Sequence, residues 1–347
     1  MIYQINSIRA IACLAVVIVH ITAVFYFENK YFSKDIFEYI NQIARFGTPI
    51  FCIITGFLFS NYFFNNFNIN NFFKSRFEKI LIPYLLWSLF YLALVYFFLR
   101  QNFPENILYS IIFGKSFYHL YFISIILQFC ILFPILRKIK FKNDIITVFT
   151  FFIINLLCLI FFKESDFFIL SESSFLGFWI FYFYFGLYFN KIIHFLQKLN
   201  LKLVISTLFI ILLIMCLEIY LSEQIFGSRR VLNLFIVPPI FVILFWIFSK
   251  KQSKALNFIG YFSMGIYLIH PIVILILKRI IGIDLIHEKP LFFSIILLIF
   301  TLIITICLIL IIVKFPFSKY LGEFKHEVRQ FEKSYDNQQA EQISLMV

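Results

Sequence analysis

Long apolar stretches, separated by short polar segments, follow one another along the chain up to about residue 313. Each stretch holds about 20 residues, the length that an α-helix needs to cross the hydrocarbon core of a bilayer. Strands of a membrane barrel are shorter and alternate in polarity, so the pattern predicts helices. We therefore predict an all-α polytopic membrane protein, a bundle of about ten transmembrane helices. The predicted spans are residues 8–27, 42–62, 79–99, 118–137, 144–162, 175–193, 201–221, 231–249, 258–280 and 291–313.

The apolar pattern ends before a polar C-terminal stretch that begins at about Glu323. This change divides the chain into a transmembrane domain, residues 1–322, and a polar tail, residues 323–347. The tail is predicted to be a short amphipathic helix that fades into disorder. The N-terminus lacks the basic region and small-residue cleavage site of a secretory signal, so we expect the first span to stay in the protein.

Lys and Arg in the connecting loops set the expected orientation. The loops on the side of both termini hold thirteen Lys and Arg, and those on the other side hold ten. The second set also carries acidic residues, among them Asp35 and Glu172. We therefore expect both termini, and with them the polar tail, to lie in the cytoplasm.

Composition agrees with the membrane class and narrows the partners. The chain is 62% hydrophobic and 14% charged, whereas soluble domains average about 25% charged residues. Loops beside anionic lipid account for most of the net charge of +12, so membrane lipid is expected as a partner and nucleic acid is not. The six cysteines fall inside predicted spans and form no CxxC pair, so we expect neither a disulfide framework nor a metal site.

Arg9 and His20 are the polar residues that most need an explanation, because both lie in the first apolar stretch. Eleven residues make about three helical turns, so the two side chains share one face. The helix rise separates them by about 16 Å. Ionisable side chains within a membrane are costly and are functional-site candidates by default.

A cationic group is predicted at the cytoplasmic mouth of the bundle. Arg76 and Lys79 are three residues apart at the start of the third span, and Arg9 lies near the same membrane face. Three cations suit a phosphorylated donor such as an acyl-coenzyme A. The alternative is that Arg76 and Lys79 are positive-inside anchors that extend to lipid headgroups.

Two histidines are expected at one depth. Ser263, Tyr267 and His270 form one polar stripe on the ninth span, and His270 lies about as deep as His20. A neutral imidazole can take a proton from an alcohol, so His20 is a candidate general base. The alternative for His20 and for the stripe is hydrogen bonding between helices.

Four further polar residues are candidates for substrate binding near the outer face. His119 lies at the start of the fourth span and Gln128 farther along it, and an interfacial position is favoured for His119 over a place in a substrate mouth. Arg229 and Arg230 lie at the outer end of the eighth span, where they would bind an acidic or polar substrate. Alternatively, the two arginines pair with Glu218 and Glu223.

An ordered set of motifs runs along the chain: Arg9-x10-His20, Phe46 to Phe51, Thr55-Gly56, Arg76-x-x-Lys79 with Pro83-Tyr84, His119 to Phe122, Tyr182 to Gly186 and Tyr267 to Pro271. This set resembles the membrane-bound acyltransferase-3 family. It covers most of the chain up to about residue 315. Within the family, the stretches FGTPIF, KILIPYLLW, GFWIFYFYFGLY and YLIHPIVI are most similar to the intercellular adhesion protein C branch. Lys79 is one departure, because the family often has a second Arg at this position. A lysine keeps the positive charge but cannot bind phosphate in the bidentate way of an arginine.

The resemblance implies a multi-pass O-acyltransferase of a bacterial cytoplasmic membrane. It implies transfer of an acetyl or succinyl group from a cytoplasmic acyl-coenzyme A to a hydroxyl of a cell-surface polysaccharide or its lipid-linked precursor, with poly-β-1,6-N-acetylglucosamine suggested by the branch. The donor is a substrate that Arg9, Arg76, Lys79 and Tyr84 would hold, and no permanently bound cofactor is expected. His20 and Arg9 would act in catalysis, with His20 either activating the acceptor hydroxyl or relaying the acyl group through the bilayer. Tyr267, His270, Ser263, His119, Gln128, Arg229 and Arg230 would orient the substrates, with a polysaccharide synthase as a further partner.

Three rival functions remain open from the sequence. The first is a transporter or flippase that exports the polysaccharide, because a bundle with a polar interior suits that role and this branch has been regarded as an exporter. We see no inverted repeat, which would have favoured transport. A glycosyltransferase is disfavoured by the lack of a DxD pair. A purely structural synthase subunit would leave the Arg9–His20 stripe unexplained.

Overall fold

The computed structural model describes residues 2–28, 34–63, 67–138, 144–164, 169–222 and 227–322. The polar tail, residues 323–347, and Glu223 lie outside this part of the chain. The described residues form helices joined by turns, without a strand, and the predicted all-α class is confirmed. The helices are α1 Ile2–Glu28, α2 Lys34–Ala44, α3 Gly47–Phe63, α4 Ile69–Arg76, α5 Ile82–Phe97, α6 Ile107–Ile112, α7 Tyr121–Lys138, α8 Asp144–Phe161, α9 Ile180–Ile192, α10 Leu201–Leu221, α11 Val231–Lys250, α12 Lys254–Tyr261, α13 Ser263–Ile281, α14 Ile283–Glu288, α15 Pro290–Ile312 and α16 Ser318–Leu321.

Nine helical segments of the described chain are long and apolar enough to cross a membrane. Nine of the ten predicted spans correspond to them. The span predicted at residues 175–193 is shorter than expected, because α9 has 13 residues and is flanked by 3₁₀ turns at Leu176–Phe178 and Ile193–Lys198. Most of α9 is buried among other helices, and irregular backbone is tolerated at membrane depth where protein surrounds it.

The helix α1 lies at the centre of the bundle, where it contacts α2, α3, α11, α12, α13 and α15. We call the end of the bundle where α1 begins the near end, and the end where α1 finishes the far end. Because protein surrounds α1, its polar residues meet other helices. This position explains how an arginine and a histidine are accommodated in an apolar helix.

Glycines allow the closest helix contacts in the core. A Cβ atom on Gly56 of α3 would lie 2.0 Å from the carbonyl oxygen of Phe183 in α9. A Cβ atom on Gly186 of α9 would lie 2.0 Å from the carbonyl oxygen of Ile53. The two backbones therefore touch, as is common for small residues at helix interfaces in membranes.

Two connecting segments fold inward and close part of the far end. The hydroxyl of Ser124 on α7 donates to the carbonyl of Ile112 at 2.7 Å, and the hydroxyl of Ser174 donates to the carbonyl of Phe113 at 3.0 Å. Gln128 on α7 donates to the carbonyl of Ser174 at 2.6 Å. We call these segments, residues 107–120 and 169–178, the far-end cap.

Candidate active site

A cavity of about 850 Å³ opens among α1, α3, α7, α12, α13 and the junction of α4 with α5. We call it the near-end cavity, because its lining includes Asn6 from the start of α1 and Asn61 from the end of α3. Three of the predicted donor residues, Arg9, Arg76 and Lys79, line it together. No Asp or Glu of the described chain is part of this lining. The cavity is therefore positively charged and suited to an anionic ligand.

A π-helical turn, Phe77–Leu81, joins α4 to α5 and carries Lys79. Single π-helical turns are rare overall, and those that occur are often found at functional sites. The turn follows directly after Arg76. Arg76 and Lys79, predicted to share one face of a regular helix, therefore reach the same cavity from an irregular segment.

Arg76 is held inside the bundle. Its guanidinium carbon lies 6.0, 5.2 and 5.8 Å from the ring centres of Phe59, Phe63 and Phe72, which is the range of cation–π attraction. Its Nη2 donates to Ser75 at 3.0 Å, and its buried Nε has no hydrogen-bond partner among the described residues. This placement favours a ligand role over extension towards lipid headgroups.

A second polar group, the histidine cluster, consists of His20, His119 and His270. The ring centres of His20 and His270 are 5.3 Å apart, and those of His119 and His270 are 5.7 Å apart. The prediction that His20 and His270 lie at one depth is confirmed. The described residues contain no group of three or more His, Cys, Asp or Glu side chains arranged to hold a metal ion.

The interfacial position favoured for His119 is wrong. Its side chain is 1% exposed, and its ring lies 5.0 Å from that of Tyr91 and 5.3 Å from that of Tyr267. The physical reason is that α7 begins only at Tyr121. His119 therefore belongs to the far-end cap, which turns the side chain inward, and helical spacing did not apply to it.

Hydrogen bonding fixes the state of one imidazole in the cluster. His270 Nδ1 lies 2.9 Å from the carbonyl oxygen of Ile266. A carbonyl can only accept, so Nδ1 carries the proton and Nε2 of the neutral ring keeps its lone pair. This Nε2 is buried without a hydrogen-bond partner in the described structure. A buried, unpaired acceptor is unusual and fits a site that receives a ligand hydroxyl.

Tyr267 connects the near-end cavity to the histidine cluster. It lines the cavity, its hydroxyl donates to the backbone carbonyl of His119, and its ring lies 6.1 Å from that of His270. Ser263, one helical turn earlier on α13, also lines the cavity. The inner end of a cationic cavity thus adjoins a group of imidazoles.

The helix α1 is continuous from Ile2 to Glu28, so Arg9 and His20 serve different parts of the site. Arg9 lines the near-end cavity, whereas His20 lies in the cluster about 16 Å farther along the helix. One small reacting group cannot touch both side chains. The geometry therefore favours donor binding over a direct chemical role for Arg9.

Tyr84 and Gln128 lie outside both the cavity lining and the histidine cluster. Tyr84 is buried and its hydroxyl donates to the carbonyl of Ile111 in the far-end cap. Gln128 donates to Ser174 and accepts from the backbone of Leu176 at 3.1 Å. Both side chains join helices to the cap, which is a structural arrangement.

The two far-end arginines are engaged in protein contacts. Arg229 donates to the carbonyl of Ser171 at 2.7 Å. Arg230 forms an ion pair with Glu218 at 3.0 Å and donates to Asn233 at 2.9 Å. Burial lowers the pKa of Arg230, and the Glu218 carboxylate opposes that shift. The predicted alternative of pairing with Glu218 is confirmed for Arg230, while the pairing with Glu223 lies outside the described residues.

Arg45 is a residue near the site to which the sequence analysis gave no role. It follows α2, and its Nε donates to Asn41 at 3.0 Å. Its charge also lowers the pKa of Arg230. An arginine inside a predicted span was a sufficient signal, because such charges are rare in membranes and usually functional.

Comparison with known proteins gives a family match over most of the chain. The family profile described as an acyltransferase domain matches residues 2–312. A probable poly-β-1,6-N-acetyl-D-glucosamine export protein of Staphylococcus aureus is 26% identical over 291 residues, which are 77% of this chain and 81% of that protein. A protein of the same name from Staphylococcus epidermidis is 28% identical over 295 residues, 77% of this chain and 79% of the relative. No solved structure gives a significant match.

Proposed function

The chain belongs to the acyltransferase-3 family, and on that premise we propose that it moves an acetyl or succinyl group from a cytoplasmic acyl-coenzyme A to a hydroxyl of a cell-surface polysaccharide. In this proposal the near end and both termini face the cytoplasm of a bacterial cell. The observation that carries the proposal is the position of Tyr267, which lines the cationic cavity and also contacts His119.

The near-end cavity is the proposed donor site. Its volume of about 850 Å³ is within the range of about 300–1,000 Å³ that is usual for ligand pockets. Arg9, Arg76 and Lys79 would bind the phosphates of coenzyme A, because guanidinium and ammonium groups bind phosphate oxygens strongly. The arm that carries the thioester would then extend inward past Ser263 towards Tyr267.

The histidine cluster is the proposed site of chemistry. His20 takes the proton of the acceptor hydroxyl while the hydroxyl oxygen attacks the thioester carbonyl. A bond forms between that oxygen and the acyl carbon, the carbon–sulfur bond breaks, and the coenzyme A thiolate leaves with the proton from the imidazolium. His270 stacks on His20, and its unpaired Nε2 accepts a hydrogen bond from the acceptor.

The names of the relatives support a polysaccharide acceptor. We propose poly-β-1,6-N-acetylglucosamine or its lipid-linked precursor as the acceptor, since both staphylococcal relatives are named for this polymer. A polysaccharide synthase in the same membrane would supply the acceptor.

The same names support a second candidate, export of the polymer. An exporter needs a polar path through the bundle that is wide enough for sugar rings. The described near-end cavity ends at Tyr267 and Phe122, and the far-end cap packs on α7 beyond it. An exporter would also tolerate loss of one imidazole better than an acyltransferase would.

An acyl-transfer assay with purified protein in lipid vesicles tests the proposal. Wild type, His20→Ala and His194→Ala would be incubated with labelled acetyl- or succinyl-coenzyme A and a β-1,6-linked N-acetylglucosamine oligosaccharide. His194 lies in the 3₁₀ turn that follows α9, away from the cluster, and serves as the control. We expect labelled ester with wild type and with the control only. Absence of ester with wild type would refute the proposed reaction.

A further inference from the structure

Tyr118 is an exposed aromatic residue beside the histidine cluster. Its side chain is 49% exposed, although Ser116, His119 and Leu120 around it are buried. Its ring centre lies 4.6 Å from that of His20. The Tyr118 hydroxyl has no hydrogen-bond partner in the described part of the chain. Ser116, His119 and Leu120 of the far-end cap are thus turned inward, while the Tyr118 ring stays open next to the proposed base.

The segment around Tyr118 is firmly held. The ring of Phe117 stacks on that of Tyr91 with centres 4.6 Å apart and planes at 18°. The backbone of Leu120 donates to the carbonyl of Phe117 at 3.0 Å. The position of the Tyr118 ring over His20 is therefore set by buried neighbours, as expected for a preorganised binding surface.

Tyr118 lies outside the lining of the donor cavity. The near-end cavity reaches the cluster through Tyr267, and neither His20 nor Tyr118 is part of its lining. A transfer reaction needs the acceptor hydroxyl and the thioester to meet at one base. Since the donor would enter from the side of Tyr267, the open side at Tyr118 is the approach that remains for the acceptor.

We propose that Tyr118 binds the acceptor sugar, with the C–H face of one pyranose ring stacked on the aromatic ring and one sugar hydroxyl directed at His20. Pyranose rings have an apolar C–H face and a polar rim. Tyrosine has a matching apolar body and polar tip, and burial of that body against the sugar is favourable. This inference rests on the proposed function and adds the acceptor site to it.

A kinetic comparison of Tyr118 variants tests this assignment. We expect Tyr118→Leu to raise the acceptor KM about tenfold, which corresponds to about 1.4 kcal/mol of lost binding, while the KM for acetyl-coenzyme A stays unchanged. Tyr118→Trp keeps an aromatic face and should retain a nearly normal acceptor KM. Tyr220→Leu is the control, because Tyr220 is 78% exposed on α10 and would only face lipid headgroups.

The possible results are distinct. An unchanged acceptor KM in Tyr118→Leu, or equal effects of Tyr118→Leu and Tyr220→Leu, would overturn the acceptor assignment and leave the transfer reaction standing. Absence of transfer by wild type would overturn both. A normal KM for acetyl-coenzyme A shows that the variant is folded, and Tyr118→Ser is measured in the same way if Tyr118→Leu does not accumulate in the membrane.

Discussion

At the scale of single residues, Arg76 and Arg9 of the near-end cavity differ in the contacts that they make with the protein. Arg76 lies against the rings of Phe59, Phe63 and Phe72 and has a buried Nε without a partner. Arg9 forms no hydrogen bond or ion pair with any residue that the structure describes. Both guanidinium groups are therefore available for charge-assisted bonds to a ligand phosphate.

Arg76→Ala is predicted to weaken donor binding more than turnover. Loss of a hydrogen bond from a charged group costs about 1.5–3 kcal/mol, so we expect the KM for acyl-coenzyme A to rise between about tenfold and a hundredfold. Arg137→Ala is the matched control, because Arg137 stacks on Phe67 at 4.9 Å but does not line the cavity. An equal rise in both variants would indicate general surface charge instead of a donor site.

Arg230 is predicted to act in stability, since it pairs with Glu218 and its side chain is 1% exposed. Glu218→Leu leaves a buried charge with one partner fewer, which costs about 3 kcal/mol and should lower the melting temperature in detergent with little change in the donor KM. Adding Arg230→Met should restore much of the loss. Glu164→Gln is the control, because the Glu164 side chain of the Lys163–Glu164 pair is 81% exposed. A stable Glu218→Leu variant with a raised acceptor KM would instead support substrate binding.

At the scale of helices, the crossing of α3 and α9 fixes one side of the cavity. Residues of α3 from Phe51 to Phe63 contribute to the cavity lining, and Gly56 lies at the contact with α9. The backbones touch there, so a methyl group has no space. The helices would have to separate, and the cavity wall would move with them.

Gly186→Ala is predicted to destabilise the bundle by about 1–3 kcal/mol, the usual cost of overpacking. A Cβ atom at this position would be 2.0 Å from the carbonyl oxygen of Ile53. Gly227→Ala is the control, because the nearest atom to its Cβ would be 3.9 Å away. Thermal unfolding in detergent measures both variants, and equal melting temperatures would contradict the close helix contact.

The sequence predicted most helices well because lipid imposes one strong rule, a continuous apolar run for each crossing. It predicted the shared depth of His20 and His270 for the same reason, since both lie on regular helices. It misplaced His119, which lies in a cap that helical periodicity does not describe. The sequence pattern could not predict the shortening of α9, because the turn residues inside the predicted span, Leu176 to Phe178 and Ile193, are as apolar in 3₁₀ turns as in an α-helix.

At the scale of the whole molecule, the proposed reaction depends on orientation, because acyl-coenzyme A is a cytoplasmic donor. The near end must then face the cytoplasm. The charge bias of the loops supports this orientation by a small margin. The contacts within the bundle hold equally well in either orientation, so the topology needs its own measurement.

Single cysteines at opposite ends are predicted to react differently with a membrane-impermeant maleimide. Asn102 lies exposed between α5 and α6 at the far end, and Gln252 lies exposed between α11 and α12 at the near end. Asn102→Cys should be labelled in intact cells, and Gln252→Cys only after permeabilisation. The reverse pattern would place the donor cavity outside the cytoplasm and would exclude acyl-coenzyme A as its ligand. The unsubstituted protein measures labelling of the six native cysteines.

The most direct test of the central claim is the ester content of the surface polysaccharide, measured by mass spectrometry in cells with wild-type protein, without it, and with His20→Ala. If the protein is the proposed acyltransferase, acetyl or succinyl esters are present with wild type and absent in the other two strains, while polymer still reaches the surface. Unchanged esters together with polymer retained inside the cell would contradict it and establish export as the function.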